Sequence, residues 1–198
     1  MEKGQKEMQS AFKIILKIVL TALFAALTFI GSMIYIPIPA VVGNVSRIHL
    51  GNIFCLLSGL ILGPIGGGLA AGTGSALFDV MNPKYIASAP FTFVFKFALA
   101  AVCGVISAWA EKRGKSVHAW NVVASIAGSV LYMVCYLSKA FVESTLLGNE
   151  LQVTMLALGT KAVTSGINAV IAVVVSVPLY TAIRAALKRS GMAGKLAW

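Results

Sequence analysis

Apolar segments about as long as a bilayer is thick recur along the chain, and they constrain its fold more than any other feature. The first runs from Ala11 to Ile36, a later one from Trp120 to Phe141, and the last begins near Val153. A helix of ~20 apolar residues crosses the hydrocarbon core of a bilayer. The mean hydropathy of +0.90 agrees. We therefore predict an all-α integral membrane protein with one transmembrane substrate-binding domain, residues 1–198.

The stretch from Arg47 to Lys96 holds two shorter apolar segments around the sequence Gly-Pro-Ile-Gly-Gly-Gly, residues 63–68. Neither segment reaches ~20 apolar residues, and their glycines allow backbones to pack closely. We predict a helical hairpin here, which brings the bundle to six transmembrane helices. Short hydrophobic segments interrupted by glycine also mark substrate sites in transporters.

The basic residues cluster at alternate ends of the apolar segments, which is the positive-inside pattern of membrane proteins. It places both termini in the cytoplasm, and the net charge of +10 is therefore a topology signal and not a sign of a nucleic-acid partner. The cytoplasmic segments then hold most of the 16 Lys and Arg residues: Lys3, Lys6, Lys13, Lys17, Lys112, Arg113, Lys115, Arg184, Lys188, Arg189 and Lys195.

Polar stripes on the helices fall at one depth in this topology, in the outer third of the membrane. A charge near the middle of a bilayer costs ~2.5–3.5 kcal/mol, so such residues face the bundle interior and find partners. We predict that they enclose a ligand pocket beneath the first outer loop. The candidate substrate-binding residues are Arg47, His49, Asn52, Asp79, Asn82, Lys96, Tyr132, Tyr136, Lys139, Lys161, Ser165 and Asn168. The alternative for Lys139 and Lys161 is that they extend to the outer interface as snorkelling lysines.

Cations outnumber carboxylates in the predicted pocket and its loops, which favours a ligand with an anionic group. The cations are Arg47, Lys84, Lys96, Lys139 and Lys161, and the carboxylates are Asp79, Glu143 and Glu150.

Catalytic motifs such as H-E-x-x-H, G-x-S-x-G and the P-loop do not occur in the sequence, so no enzymatic activity is predicted. Cys55, Cys103 and Cys135 sit singly in apolar runs without the spacing of metal ligands, and we expect neither a metal site nor a cofactor.

Three motifs resemble the substrate-binding subunits (S-components) of energy-coupling factor transporters. They are the alanine step Ala22-x-x-x-Ala26, the run HLGNIFCLLSGLILGP from His49 to Pro64, and the D-x-x-N-P corner that begins at Asp79. The resemblance covers nearly the whole chain as a six-helix layout.

The resemblance implies a high-affinity vitamin binder in the plasma membrane, with the substrate enclosed by outer loops and the outer ends of helices four to six. Ala22 and Ala26 would contact a transmembrane coupling subunit that also joins two cytoplasmic ATPase subunits. Pantothenate or folate would suit the cationic bias, and queuosine precursors and cobalamin stay open. The sequence does not match the acidic, metal-binding N-terminus of nickel or cobalt members, so a metal substrate is not expected.

Two readings from other classes stay open at this point. In one, the chain is a stand-alone ion-coupled transporter in which Asp79 and the lysines relay protons. In the other, it is a small integral-membrane enzyme that uses Asp79 and His49.

Overall fold

Five long helices make up most of the protein in the computed structural model, which describes residues 2–39 and 46–189. The helices are α1 (Glu2–Met33), α2 (Gly51–Val80), α3 (Ala89–Lys112), α4 (Val117–Leu146) and α5 (Leu151–Arg189). Each contains a stretch long and apolar enough to cross a membrane. The all-helical membrane class agrees with the prediction, whereas the described part of the chain contains five helices of this kind instead of six.

The difference in helix count arises at α2, which is broken at Gly63. This residue has a φ of +71°, a backbone conformation that glycine adopts without steric cost, and Pro64 follows it. Residues 51–62 are only ~18 Å long as a helix, less than the ~30 Å thickness of a hydrocarbon core, so length alone does not identify this half as a sixth span.

The two halves of α2 lie side by side and run in opposite directions. The Ser58 hydroxyl donates a hydrogen bond to the carbonyl of Gly67 (3.1 Å), and the Cys55 sulfur lies 3.7 Å from the Ser75 hydroxyl. Residues 20 positions apart in a straight helix would be ~30 Å apart. The chain therefore reverses at Gly63, within the glycine-rich stretch where a hairpin was predicted.

A short β-hairpin connects α1 to α2 and was not predicted. Strand β1 (Tyr35–Ile38) pairs antiparallel with β2 (Ser46–His49), with Tyr35 opposite His49. The first helix ends at Met33, three residues before the predicted end at Ile36. Prolines such as Pro37 correctly indicated the end of the helix. Proline is also tolerated in edge strands, and Pro37 lies in one, because both strands of a two-stranded sheet are edge strands.

Helix α2 forms the centre of the bundle, since 72% of its most apolar window is buried, against 17–33% for the other four helices. It packs against α1, α3 and α5, and α4 packs against α3 and α5. Helix α3 approaches the break in α2 closely at Gly104, where an added Cβ would lie 2.7 Å from the Gly63 carbonyl carbon. The outward faces of the other helices carry exposed apolar side chains such as Ile15, Ile18 and Val174, as expected for contact with lipid.

Candidate functional site

A polar cavity, here called the site cavity, lies between β2 and one end of helices α2 to α5. Eleven of the twelve residues predicted to bind substrate line it: Arg47, His49, Asn52, Asp79, Lys96, Tyr132, Tyr136, Lys139, Lys161, Ser165 and Asn168. The exception is Asn82, whose side-chain oxygen instead accepts a hydrogen bond from the backbone N–H of Lys84 (3.2 Å) in the turn after α2. The structure thus brings the polar stripes of four helices together at one end of the bundle.

Several lining residues were not predicted from the sequence, among them Ser32, Tyr85, Phe91 and Phe95. Phe91 and Phe95 are four residues apart on α3, just before Lys96, so helical periodicity could have placed them on the same face. Tyr85 lies in the turn before α3, where no periodic pattern applies.

Arg47 is held in position by a carboxylate and two aromatic rings. Its guanidinium donates a hydrogen bond to Asp79 (2.9 Å) and lies 4.1 Å from the centre of the Phe78 ring and 4.4 Å from that of Tyr85. The Thr92 hydroxyl donates to the second oxygen of Asp79 (2.5 Å). The Nη1 group of Arg47 is buried and has no hydrogen-bond partner among the described residues, so it is a donor available to a ligand.

Strand β2 is fixed over the cavity by Asn168 of α5. The Asn168 amide donates to the carbonyl of Arg47 (2.8 Å), and its oxygen accepts the N–H of His49 (2.9 Å). These two bonds satisfy the backbone carbonyl of Arg47 and the backbone N–H of His49, as pairing with a neighbouring strand would. The first residues of the predicted pocket are therefore joined to the last helix of the bundle.

His49 is neutral in this setting. Burial, reinforced by the positive charges of Lys96 and Arg47, lowers the pKa of His49 well below its usual 6.5. Its Nδ1 accepts the N–H of Gly51 (3.1 Å), which places the remaining imidazole proton on Nε2. His49 therefore positions β2 and does not act as a proton carrier near neutral pH.

Lys96 lines the site cavity and is 2% exposed. Its ammonium group donates to the side-chain oxygen of Asn52 and lies 3.7 Å from the centre of the Tyr132 ring. The rings of Tyr132 and Tyr136 are nearly parallel, at 8°, with centres 6.0 Å apart. A flat aromatic surface therefore adjoins a buried hydrogen-bond donor.

Two of the four cavity cations are paired with carboxylates. Arg47 pairs with Asp79, and Lys139 pairs with Glu143 (2.5 Å). Within the described ranges neither Lys96 nor Lys161 forms a salt bridge, and the Lys161 ammonium lies 5.8 Å from the centre of the Tyr136 ring. The predicted excess of cations thus persists, although Lys84 and Glu150 do not line the cavity.

The site cavity is narrow, with a volume of about 100 Å³. Sites for small organic ligands usually have ~300–1,000 Å³. A ligand of vitamin size therefore requires side chains at the edge of the cavity to move when it binds.

The predicted partner-contacting residues, Ala22 and Ala26, lie on the exposed side of α1. Ala22 lines a surface groove between α1 and the break in α2, together with Gly63, Pro64 and Gly66. The groove is on the molecular surface and is distinct from the site cavity, since the two share no lining residue.

Comparison with known families identifies the protein's class. The family model described as "ECF-type riboflavin transporter, S component" matches residues 13–185. The chain belongs to this family. It is therefore the substrate-specific subunit of an energy-coupling factor (ECF) transporter, which associates with a transmembrane and ATPase module and resides in the plasma membrane as a multi-pass protein. As a transport protein it is not an enzyme. Its membership of this family also excludes the alternative hypothesis of a stand-alone ion-coupled transporter.

This S component is also similar to a solved structure and to a protein known from its sequence. A solved structure of the S component of a bacterial ECF transporter superposes with a TM-score of 0.61, covering 87% of this chain and 97% of that one at 16% identity. A Pyrococcus woesei protein described as "uncharacterized protein in gap 3′ region" is 34% identical over 117 residues, which cover 59% of this chain and 72% of that protein.

Proposed function

We propose that this S component binds riboflavin in the site cavity, at the extracellular face. Riboflavin combines a flat three-ring system that carries carbonyl oxygens with a flexible chain of hydroxyl groups. The observation that best supports this ligand is the parallel pair Tyr132 and Tyr136 beside the buried Lys96. Aromatic rings stack favourably with such a ring system, and a lysine can donate to its carbonyls. The name of the matched family points to the same vitamin.

We propose riboflavin as the ligand instead of pantothenate or folate, the anionic vitamins that the excess of cations in the sequence favoured. Asp79 and Glu143 compensate two of the cavity cations, which reduces the advantage of a carboxylate ligand. Pantothenate also has no ring to stack on the tyrosines. Folate has a flat ring but carries two carboxylates, so Lys96 and Lys161 are the groups that would favour it over riboflavin.

Purified protein tests this assignment directly. Riboflavin fluorescence is quenched when the vitamin stacks on an aromatic ring, so titration should give a saturable signal, and excess pantothenate or folate should not displace it. The Lys96→Met variant should bind roughly ten- to a hundredfold more weakly, since a hydrogen bond from a charged group contributes ~1.5–3 kcal/mol. Lys115→Met, at an exposed lysine in the turn between α3 and α4 that does not line the cavity, is the matched control. Displacement by folate or pantothenate would refute the assignment.

We also propose that the chain crosses the membrane six times, with both termini in the cytoplasm, because the reversal at Gly63 divides α2 into two antiparallel halves. The clustering of basic residues at alternate ends of the apolar segments supports the orientation. In this arrangement the coupling module would supply one transmembrane subunit, which contacts Ala22 and Ala26, and two ATPase subunits. ATP hydrolysis there would drive delivery of the vitamin to the cytoplasm.

A further inference from the structure

A second cavity adjoins the site cavity and has no role in the function proposed above. This side cavity lies between the single-turn 3₁₀ helix Ile86–Ser88, the end of α4 and the start of α5, where Ala87, Ala157 and Leu158 line it. Its volume is about 580 Å³, within the ~300–1,000 Å³ typical of sites for small organic ligands. It therefore has room for a vitamin, whereas the site cavity does not without movement.

The two cavities are neighbours that share part of their walls. Ser88, Ala140, Glu143 and Lys161 line both of them. At this shared wall the ammonium of Lys139 donates to the Ser88 hydroxyl (3.1 Å) and to Glu143 (2.5 Å). Lys139 therefore connects α4 to the turn before α3 at the boundary between the cavities.

The contacts of Lys139 with Ser88 and Glu143 can break at little energetic cost. The Glu143 side chain is 51% exposed, and an exposed ion pair four residues apart on a helix contributes little stability in water. The far wall of the side cavity is held more firmly, since the hydroxyls of Ser144 and Thr154 lie 2.7 Å apart and Asn149 donates to Ser144 (3.2 Å). Movement of Lys139 would thus join the cavities while the α4–α5 connection stays in place.

We propose that the side cavity is a vestibule in which the vitamin binds transiently before it passes Lys139 into the site cavity. The proposal rests on the proposed binding of riboflavin in the site cavity. Leu146 and Leu147, at the outer edge of the vestibule, are 82% and 78% exposed, so its mouth lies at the molecular surface. The hydroxyl and amide groups of Ser144, Thr154 and Asn149 suit a hydroxylated ligand.

Filling the vestibule tests the proposal. A ligand that enters and leaves by one route encounters the same obstruction in both directions, so the obstruction slows association and dissociation equally and leaves the Kd unchanged. Ala87→Trp places a large side chain at the exposed wall of the vestibule, and Ile86→Trp is the matched control, since Ile86 is exposed but does not line it. Stopped-flow riboflavin quenching with Ala87→Trp should show both rate constants reduced about fivefold or more and the Kd within twofold of the parent.

Two kinetic results would overturn the vestibule. Rate constants equal to those of Ile86→Trp would mean that the ligand reaches the site by another route. A raised Kd with faster dissociation would mean that Ala87 contacts the bound ligand. Ala157→Trp, whose position lies deeper in the side cavity, should slow both rates at least as strongly if it folds.

A labelling experiment separates failure of the vestibule from failure of the riboflavin assignment. Ala157→Cys in a Cys135→Ala background should react with a water-soluble methanethiosulfonate, whereas Ala172→Cys, which is 1% exposed and lines neither cavity, should not. Lack of labelling at position 157 would refute the vestibule whatever the ligand is. Lack of riboflavin binding by the parent protein would refute the ligand alone.

Discussion

At the scale of single residues, Asn168 shows how a side chain completes the site. Its amide bonds the carbonyl of Arg47 and the N–H of His49, and so replaces a third strand beside β2. An aspartate at this position would keep the acceptor and lose the donor, leaving the Arg47 carbonyl without its partner. The geometry of the proposed ligand-binding residues Arg47 and His49 therefore depends on an amide from helix α5.

His49 makes the stability of this arrangement depend on pH. Its pKa is lowered in the folded protein, chiefly by burial, so between that pKa and about 6.5 the unfolded chain binds the additional proton. Stability should consequently fall as the pH drops below about 6.5. Thermal unfolding of detergent-solubilised protein at pH 7.5 and 5.5 measures the loss.

Two histidine variants assign this effect. In His49→Asn the side-chain oxygen can still accept the N–H of Gly51, and the acid-induced loss of stability should largely disappear. In His118→Asn, where the residue is exposed on α4, the loss should stay as in the parent. An unchanged pH dependence in His49→Asn would exclude His49 as its origin.

At the scale of elements, the break in α2 determines how α3 can pack. Gly104 lies against the carbonyl of Gly63 and the nitrogen of Pro64, so α3 contacts backbone at this point instead of side chains. Backbone cannot change rotamer to make room. The site depends on this contact indirectly, because α2 carries Asp79 and α3 carries Lys96 into the same cavity.

The same substitution at two helical glycines should have opposite effects. Gly104→Ala should destabilise the protein by ~1–3 kcal/mol, since the new methyl group meets backbone atoms at 2.7 Å. In Gly159→Ala on α5, the new methyl group meets no atom within 4 Å apart from its own local stretch of helix, and the change should stabilise the helix by up to ~1 kcal/mol. Thermal stability of the two solubilised variants measures both. A loss at Gly159 as large as that at Gly104 would contradict the packing argument.

Some features of these helices and strands could be predicted from the sequence, and others could not. The stripe containing Tyr132, Tyr136 and Lys139 was predicted correctly as one face because helical periodicity is a local property. The reversal at Gly63 was predictable from glycine and proline chemistry. The β-hairpin was not, since β1 becomes a strand only by pairing with residues across a loop. The pairing of Arg47 with Asp79 likewise depends on how distant segments meet.

At the scale of the whole molecule, the site cavity and the groove at Ala22 lie on separate parts of the surface. With the vitamin in the site cavity and the coupling module at Ala22, as proposed, recognition of the vitamin and contact with the module could be altered independently. In the proposed orientation, the ends of α2 and α4 near the site cavity lie on the extracellular side, and the turn between α3 and α4 lies on the cytoplasmic side.

Cysteine labelling tests the orientation. Lys84→Cys and Leu147→Cys, both at exposed positions, should react with an impermeant thiol reagent added to intact cells. Lys115→Cys, in the basic turn between α3 and α4, should react only after the membrane is permeabilised. The opposite pattern would place the site cavity at the cytoplasmic face and contradict the proposed uptake.

Bulky residues at the alanine step test the proposed coupling surface. Replacing both Ala22 and Ala26 with Trp should prevent close approach of a partner helix, because such contacts require small residues. Riboflavin uptake in cells with the coupling module should fall by an order of magnitude or more, while the Kd of the purified subunit stays unchanged. Leu23→Trp, also exposed on α1, should retain uptake. A weakened Kd in the double variant would show that the alanines support the site and not the partner.

The contact between Gly63 and Gly104 also has a genetic consequence. Every single-base change of a glycine codon that substitutes another amino acid introduces a residue with a Cβ, and at position 104 that atom would lie 2.7 Å from backbone. Point mutation therefore offers no intermediate by which this contact could widen gradually. In a library of random single-base variants selected for vitamin uptake, codon 104 should accept almost only synonymous changes, whereas codon 159 should tolerate alanine.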